Sequence, residues 1–143
     1  MTIVQQSSEY INSQTEPKRS DMRELHSRIL QVLPSTRLWF DNGKNADGKV
    51  ITNPTIGYGC QILKYANGKT KDFFQIGLSS NTTGLSVYIL GLEDKTYLKS
   101  VFGKDLGKVR VTGYCIKFKR LKDVNVDVLE EAIRYGMEAT SIK

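Results

Sequence analysis

From Thr55 to Leu90, apolar residues alternate with polar ones. In TIGYGCQILKY the alternating positions are Ile56, Tyr58, Cys60 and Ile62; in KDFFQIGLSS they are Phe74, Ile76 and Leu78; in LSVYILGL they are Leu85, Val87 and Ile89. A period of two places such side chains on one face of a sheet, and the intervening ANGKT and NTTG carry turn chemistry. The stretch predicts a three-stranded antiparallel meander with one face buried. Residues Val109 to Phe118 alternate again through Tyr114, Ile116 and Phe118, predicting one more strand. Arg37 to Phe40 and Val50-Ile51 read as short strands, the latter at an edge.

Outside this core the period changes. Met22, Leu25, Ile29, Val32 and Leu33 recur at helical spacing behind Ser20, a candidate cap, and Pro34 closes the segment. A second stripe holds Leu129, Ala132, Ile133, Gly136 and Met137, opened by Asn125 or by Asp127, whose spacing to Glu130 suits a capping box. Asp94 introduces a shorter helix through Tyr97, Leu98, Val101 and Phe102, with Gly103 as its left-handed stop. Residues 1–14 read as a partly flexible segment with a short helix around Ser8 to Asn12. Residues 42–49 have almost nothing to bury and read as an exposed loop turned by Asp47-Gly48, while the tail from Ala139 to Lys143 reads as loose.

A half-buried sheet needs a cover, and two amphipathic helices supply one. The expected fold is α+β in two layers, an antiparallel sheet of about five strands with the N- and C-terminal helices packed on one face. At 143 residues the chain reads as a single domain spanning 1–143. The hydrophobic share of 39% and charged share of 25% are ordinary for a globular protein. No apolar run approaches the roughly 20 residues of a membrane span. With no basic start leading into an apolar stretch, a secretory signal is not expected, so the chain reads as cytoplasmic with Cys60 and Cys115 reduced.

The catalytic inventory is thin. His26 is the only histidine and lies beside an apolar helical stripe, where it reads as a packed residue. No Cys-x-x-Cys, His-x-x-x-His or clustered carboxylates occur, so neither catalytic residues nor metal ligands are assigned, and no cofactor is expected. Gly57-Tyr58-Gly59 lacks the third glycine of a dinucleotide fingerprint, and Gly103 to Lys108 lacks the spacing and the Ser or Thr of a phosphate loop. A binding or adaptor domain fits this inventory better than an enzyme, although a small enzyme with an unrecognised site stays open.

The net charge of +6 raises the expectation of anionic partners. Basic residues crowd the stretch from Lys104 to Lys122, and Lys108, Arg110, Lys117 and Lys119 are the candidate anion-binding set. Lys117 and Lys119 fall on the strand face opposite Ile116 and Phe118. The competing reading is a solvated face that keeps a sheet edge unpaired. Tyr114 is available to stack nearby, and Trp39, Tyr58 and Tyr114 are candidates for lining a pocket. An open sheet face offers a surface to a protein partner or a second copy; nucleic acid is not the expected partner.

Two segments carry a family resemblance. Pro54, Ile56, Gly57, Tyr58 and Gly59 open the sheet, and Gly113, Cys115, Ile116, Lys119, Leu121 and Asp123 follow near the end. Together they resemble the YdhG-like family, a widespread bacterial domain of unknown function, over most of the chain from about Tyr10. Tyr114 stands where that family usually carries lysine, and the insert Asn42 to Lys49 is longer than in compact members. The resemblance implies a frataxin-like or secretion-chaperone-like α+β fold. It also implies, for one branch, an iron chaperone, so iron enters only by resemblance; it brings no catalytic residues.

Overall fold

The computed structural model describes residues 1–141. Three α-helices, α1 (Ile3–Asn12), α2 (Lys18–Val32) and α3 (Val126–Ala139), accompany eight strands. These are β1 (Leu38–Asp41), β2 (Thr55–Tyr58), β3 (Gln61–Lys64), β4 (Thr70–Phe73), β5 (Ile76–Ser80), β6 (Leu85–Ile89), β7 (Arg110–Val111) and β8 (Cys115–Phe118). Six form one antiparallel sheet in the order β1-β2-β5-β6-β8-β7, while β3 and β4 pair only with each other.

The alternation sets the inner face. Across the register, Phe40, Ile56, Leu78, Val87 and Ile116 form one apolar row, and Leu38, Tyr58, Ile76 and Ile89 form the next. All three helices lie against this side. The ring of Tyr10 on α1 meets Phe40 edge-on at 5.7 Å, and α2 contributes the buried Met22, Leu25 and Ile29 to the same core. On α3, Gly136 has no side chain, and that lets the helix backbone settle onto Ile89 and Ile76. The architecture is the expected α+β arrangement, with six strands rather than five.

The meander order holds, with β5 between β2 and β6, but its first hairpin is interrupted part-way. Gly59, at φ +83°, turns the chain out of the sheet after Tyr58, and β3–β4 leaves as a hairpin before β5 returns beside β2. Ile62 keeps the apolar period yet is 45% exposed, because its strand no longer belongs to the sheet. Two buried glutamines tie off the hairpin root. Gln61 Nε2 donates to the carbonyls of Phe74 (3.1 Å) and Leu90 (3.2 Å). Gln75 Oε1 accepts from Cys60 N at 3.0 Å, and its Nε2 donates to Met137 O (3.0 Å) and Thr140 Oγ1 (2.8 Å). These amides satisfy backbone groups that the broken ladder leaves over.

Several local expectations also shift. The single strand from Val109 to Phe118 is a hairpin of β7 and β8, bent through Thr112 to Tyr114. The first helix begins at Ile3, not near Ser8, because Thr2 and Gln5 form a capping box and Ser7, Tyr10 and Ile11 are buried. Ser20 does not cap α2; Glu16 does that work, accepting from Ser20 N at 2.8 Å and from its hydroxyl at 2.6 Å. Leu98–Phe102 is a single wide π-type turn, and Gly103 is right-handed at φ −56°. Val50 and Ile51 are exposed, with one isolated bridge from Val50 to Lys44. Asn125, not Asp127, caps α3, which runs to Ala139; the last two residues of the tail lie outside the described residues.

Candidate anion-binding face

The outer face of the sheet, turned away from the helices, is built largely from small and polar residues. One row across the register reads Asp41, Thr55, Ser79, Ser86, Lys117 and Arg110; the next reads Trp39, Gly57, Gly77, Tyr88 and Cys115. Long side chains from the rim lie across this floor. Phe74 crosses Gly57 and Gly77, where a Cβ on Gly57 would sit 2.5 Å from the ring. Asn81 Nδ2 donates to Ser86 Oγ at 2.8 Å, and Ser79 Oγ donates to Pro54 O at 2.7 Å.

At the β7–β8 end the four predicted cations converge. Arg110 pairs directly with Lys117 in the antiparallel register, while Lys108 and Lys119 lie in the bends just before β7 and just after β8. The register puts Arg110 and Lys117 on the outer side, and all four residues are exposed. Together with Thr83, Val109 and Phe118 they line one open depression of about 400 Å³. Among the described residues none of the four lies in a salt bridge, whereas Arg19, Arg28 and Arg120 do. Like charges directly opposite one another repel, and nearby counter-charge is needed to offset this. Arg120 is removed from the basic stretch, because its Nε donates to Asp21 Oδ2 at 2.8 Å.

An aromatic pair borders the cations. The strand alternation would aim Tyr114 inward with Ile116 and Phe118, but the bend through Gly113 turns it out. It stacks on Tyr88 with ring centres 6.2 Å apart and planes 16° apart. Tyr88 is half-buried and Tyr114 is 51% exposed. Burial raises the Tyr88 hydroxyl pKa, so this ring stays neutral beside the cations.

The predicted pocket of Trp39, Tyr58 and Tyr114 does not form. Trp39 and Tyr58 occupy opposite faces of adjacent strands, and Tyr114 stands at the far side of the sheet. Trp39 Nε1 donates to Gly59 O at 2.6 Å, with the Arg37 guanidinium 4.0 Å over its ring. Tyr58 is fully buried, and its hydroxyl meets His26 Nδ1 at 2.6 Å. Burial holds the Tyr58 pKa well above its usual range and lowers that of His26. Each group is therefore neutral at neutral pH, and the buried phenol is a packing group with no route to a substrate. Cys115 is buried and Cys60 half-buried, both as free thiols, and burial raises the Cys115 pKa. Among the described residues no three His, Cys, Asp or Glu side chains converge as a metal site.

Tyr88, Ser86 and Thr83 belong to the face but were absent from the sequence reading. The signal for Ser86 and Tyr88 is present in LSVYI, where residues out of phase with Leu85, Val87 and Ile89 must point outward, whereas Thr83 sits in the preceding turn. Fold and face thus define a two-layer α+β domain with one basic outer corner. No protein-family model matches the chain, and no curated protein or solved structure matches it either. No helix of the described residues is long and apolar enough to cross a membrane.

Proposed function

We propose that this chain is a non-enzymatic binding domain that captures an anionic partner on the outer face of its sheet. The observation that carries the reading is the convergence of Lys108, Arg110, Lys117 and Lys119 on one depression without a neutralising carboxylate among the described residues. The resemblance to YdhG-like domains agrees with a binding role, as it brings no catalytic residues. Free thiols at Cys60 and Cys115 suit a reducing, cytoplasmic setting. The iron-chaperone reading has no comparable observation behind it.

The test is a titration with inorganic polyphosphate at low and moderate salt. Saturable binding that weakens with salt, and is lost in the Lys117→Ala/Lys119→Ala variant, is the expected result. Salt-insensitive binding, or a double variant that binds as wild type, overturns the anion site.

A further inference from the structure

Resting on that reading of the site, we infer that the ligand of this face is a single-stranded nucleic acid. A base stacks on Tyr114, and the adjoining phosphates lie on the four cations of the depression. Two observations support this. The Tyr88–Tyr114 pair is a ready-made stack whose outer ring is half exposed, so a planar ring can extend it. Every base has a π-face, which makes such a platform tolerant of sequence. The Lys117 position in register with Ser86 is one two-residue step from Tyr88 on β6. That is about 7 Å at the usual strand rise, and Lys108 and Lys119 share one depression with Arg110 and Lys117.

The order along the face is therefore the aromatic pair, then the Arg110/Lys117 rung with Lys108 and Lys119 in the same depression. An inorganic anion would use the cations and ignore the rings, a phosphoserine or phosphothreonine peptide has no planar ring bound to its phosphate, and a phosphotyrosine joins one ring to one phosphate where four cations converge. A duplex hides the faces of its bases in its own stack, so only an unpaired strand presents both chemistries at this spacing. On an unbroken strand the inward phase of Tyr114 conflicts with a stacking role beside the cations; the bend at Gly113 and Tyr114 removes that conflict.

The experiment compares a labelled short oligothymidylate, an oligouridylate and an abasic strand of equal length, with polyphosphate, an acidic phosphopeptide and duplex as further probes. Base-bearing strands are expected to bind roughly 10-fold more tightly than the abasic strand, the order of one stacked base. Tyr114→Ala removes that advantage, and Tyr114→Phe keeps it. With four phosphates neutralised, log affinity falls against log salt with a slope of about −3, and the Lys117→Ala/Lys119→Ala variant reduces this to about −1.4. Equal affinity for the abasic strand, indifference to Tyr114→Ala, or stronger binding of phosphopeptide or duplex overturns this inference while the anion site stands. No binding of any polyanion overturns both.

Discussion

The hydroxyl of Tyr58 and Nδ1 of His26 lie 2.6 Å apart, joining the end of β2 to the middle of α2. Because burial raises the phenol pKa and lowers that of the imidazole, the tyrosine donates and the neutral ring accepts. The bond satisfies a fully buried hydroxyl that would otherwise cost about 1–3 kcal/mol.

Acid should therefore weaken the fold through His26. Its folded pKa is depressed below the ordinary 6.5, so the unfolded chain binds more protons between the two values. The stabilisation is complete above pH 6.5 and is lost as pH falls through the lowered folded value. Tyr58→Phe removes the donor that favours the neutral ring, costing roughly 1 kcal/mol and reducing this dependence. Urea midpoints from neutral to mildly acidic pH measure both effects. A wild-type midpoint that does not fall with acid, or an unchanged dependence in Tyr58→Phe, contradicts the assignment.

A second expectation concerns the outer face. A methyl at Gly57 meets Cγ and Cδ1 of Phe74 at 2.5 Å, so Gly57→Ala should cost about 1–3 kcal/mol by overpacking. Phe74→Ala alone should cost roughly 3–5 kcal/mol. In the Phe74→Ala background the Gly57 substitution should be nearly free, giving a strong coupling in a double-mutant cycle. Additive losses would mean that the ring is not what fills the space above the glycine.

The residues read correctly from sequence are those whose local pattern and tertiary burial agree. Ile76 and Leu78 in β5, and Leu85, Val87 and Ile89 in β6, alternate and are buried. Met22, Leu25 and Ile29 likewise keep a helical period against the same core. The pattern misled where apolar spacing outlasted the sheet. Cys60 and Ile62 continue the phase of Ile56 and Tyr58, yet one left-handed glycine between them redirects the chain. Nothing in the residues around Gly59 distinguishes a sheet glycine from a turn glycine without the partner strand.

The anion face was half legible for a similar reason. Lys117 and Lys119 follow from alternation along β8, but their meeting with Lys108 and Arg110 depends on the β7–β8 bend, which the sequence reading merged into one strand. Tyr114 was assigned inward because a strict period was extended across that bend. Arg120 read as one more surface cation, since its partner Asp21 is 99 residues away in the chain.

That pairing yields the last prediction, which separates basic residues that hold the fold from those that bind. Asp21 Oδ2 accepts from Arg120 Nε at 2.8 Å and from Leu121 N at 3.1 Å, tying the first turn of α2 to the chain just past β8. The two side chains are only 14% and 31% exposed, so the pair is better shielded than a surface bridge. Removing either partner leaves the other partly buried without its counter-charge. Arg120→Ala and Asp21→Ala should each lower stability, and the double variant should lose less than the sum of the two. Neither residue lines the cationic depression, so both single variants should bind polyphosphate as wild type does under folding conditions. Lys117→Ala should show the reverse, near-native stability with weakened binding, because an exposed cation facing Arg110 contributes no pairing to lose. Chemical denaturation and an anion titration on the same protein preparations check both halves. If Arg120→Ala weakens binding as much as Lys117→Ala does, the basic stretch acts as a diffuse field and not as a site.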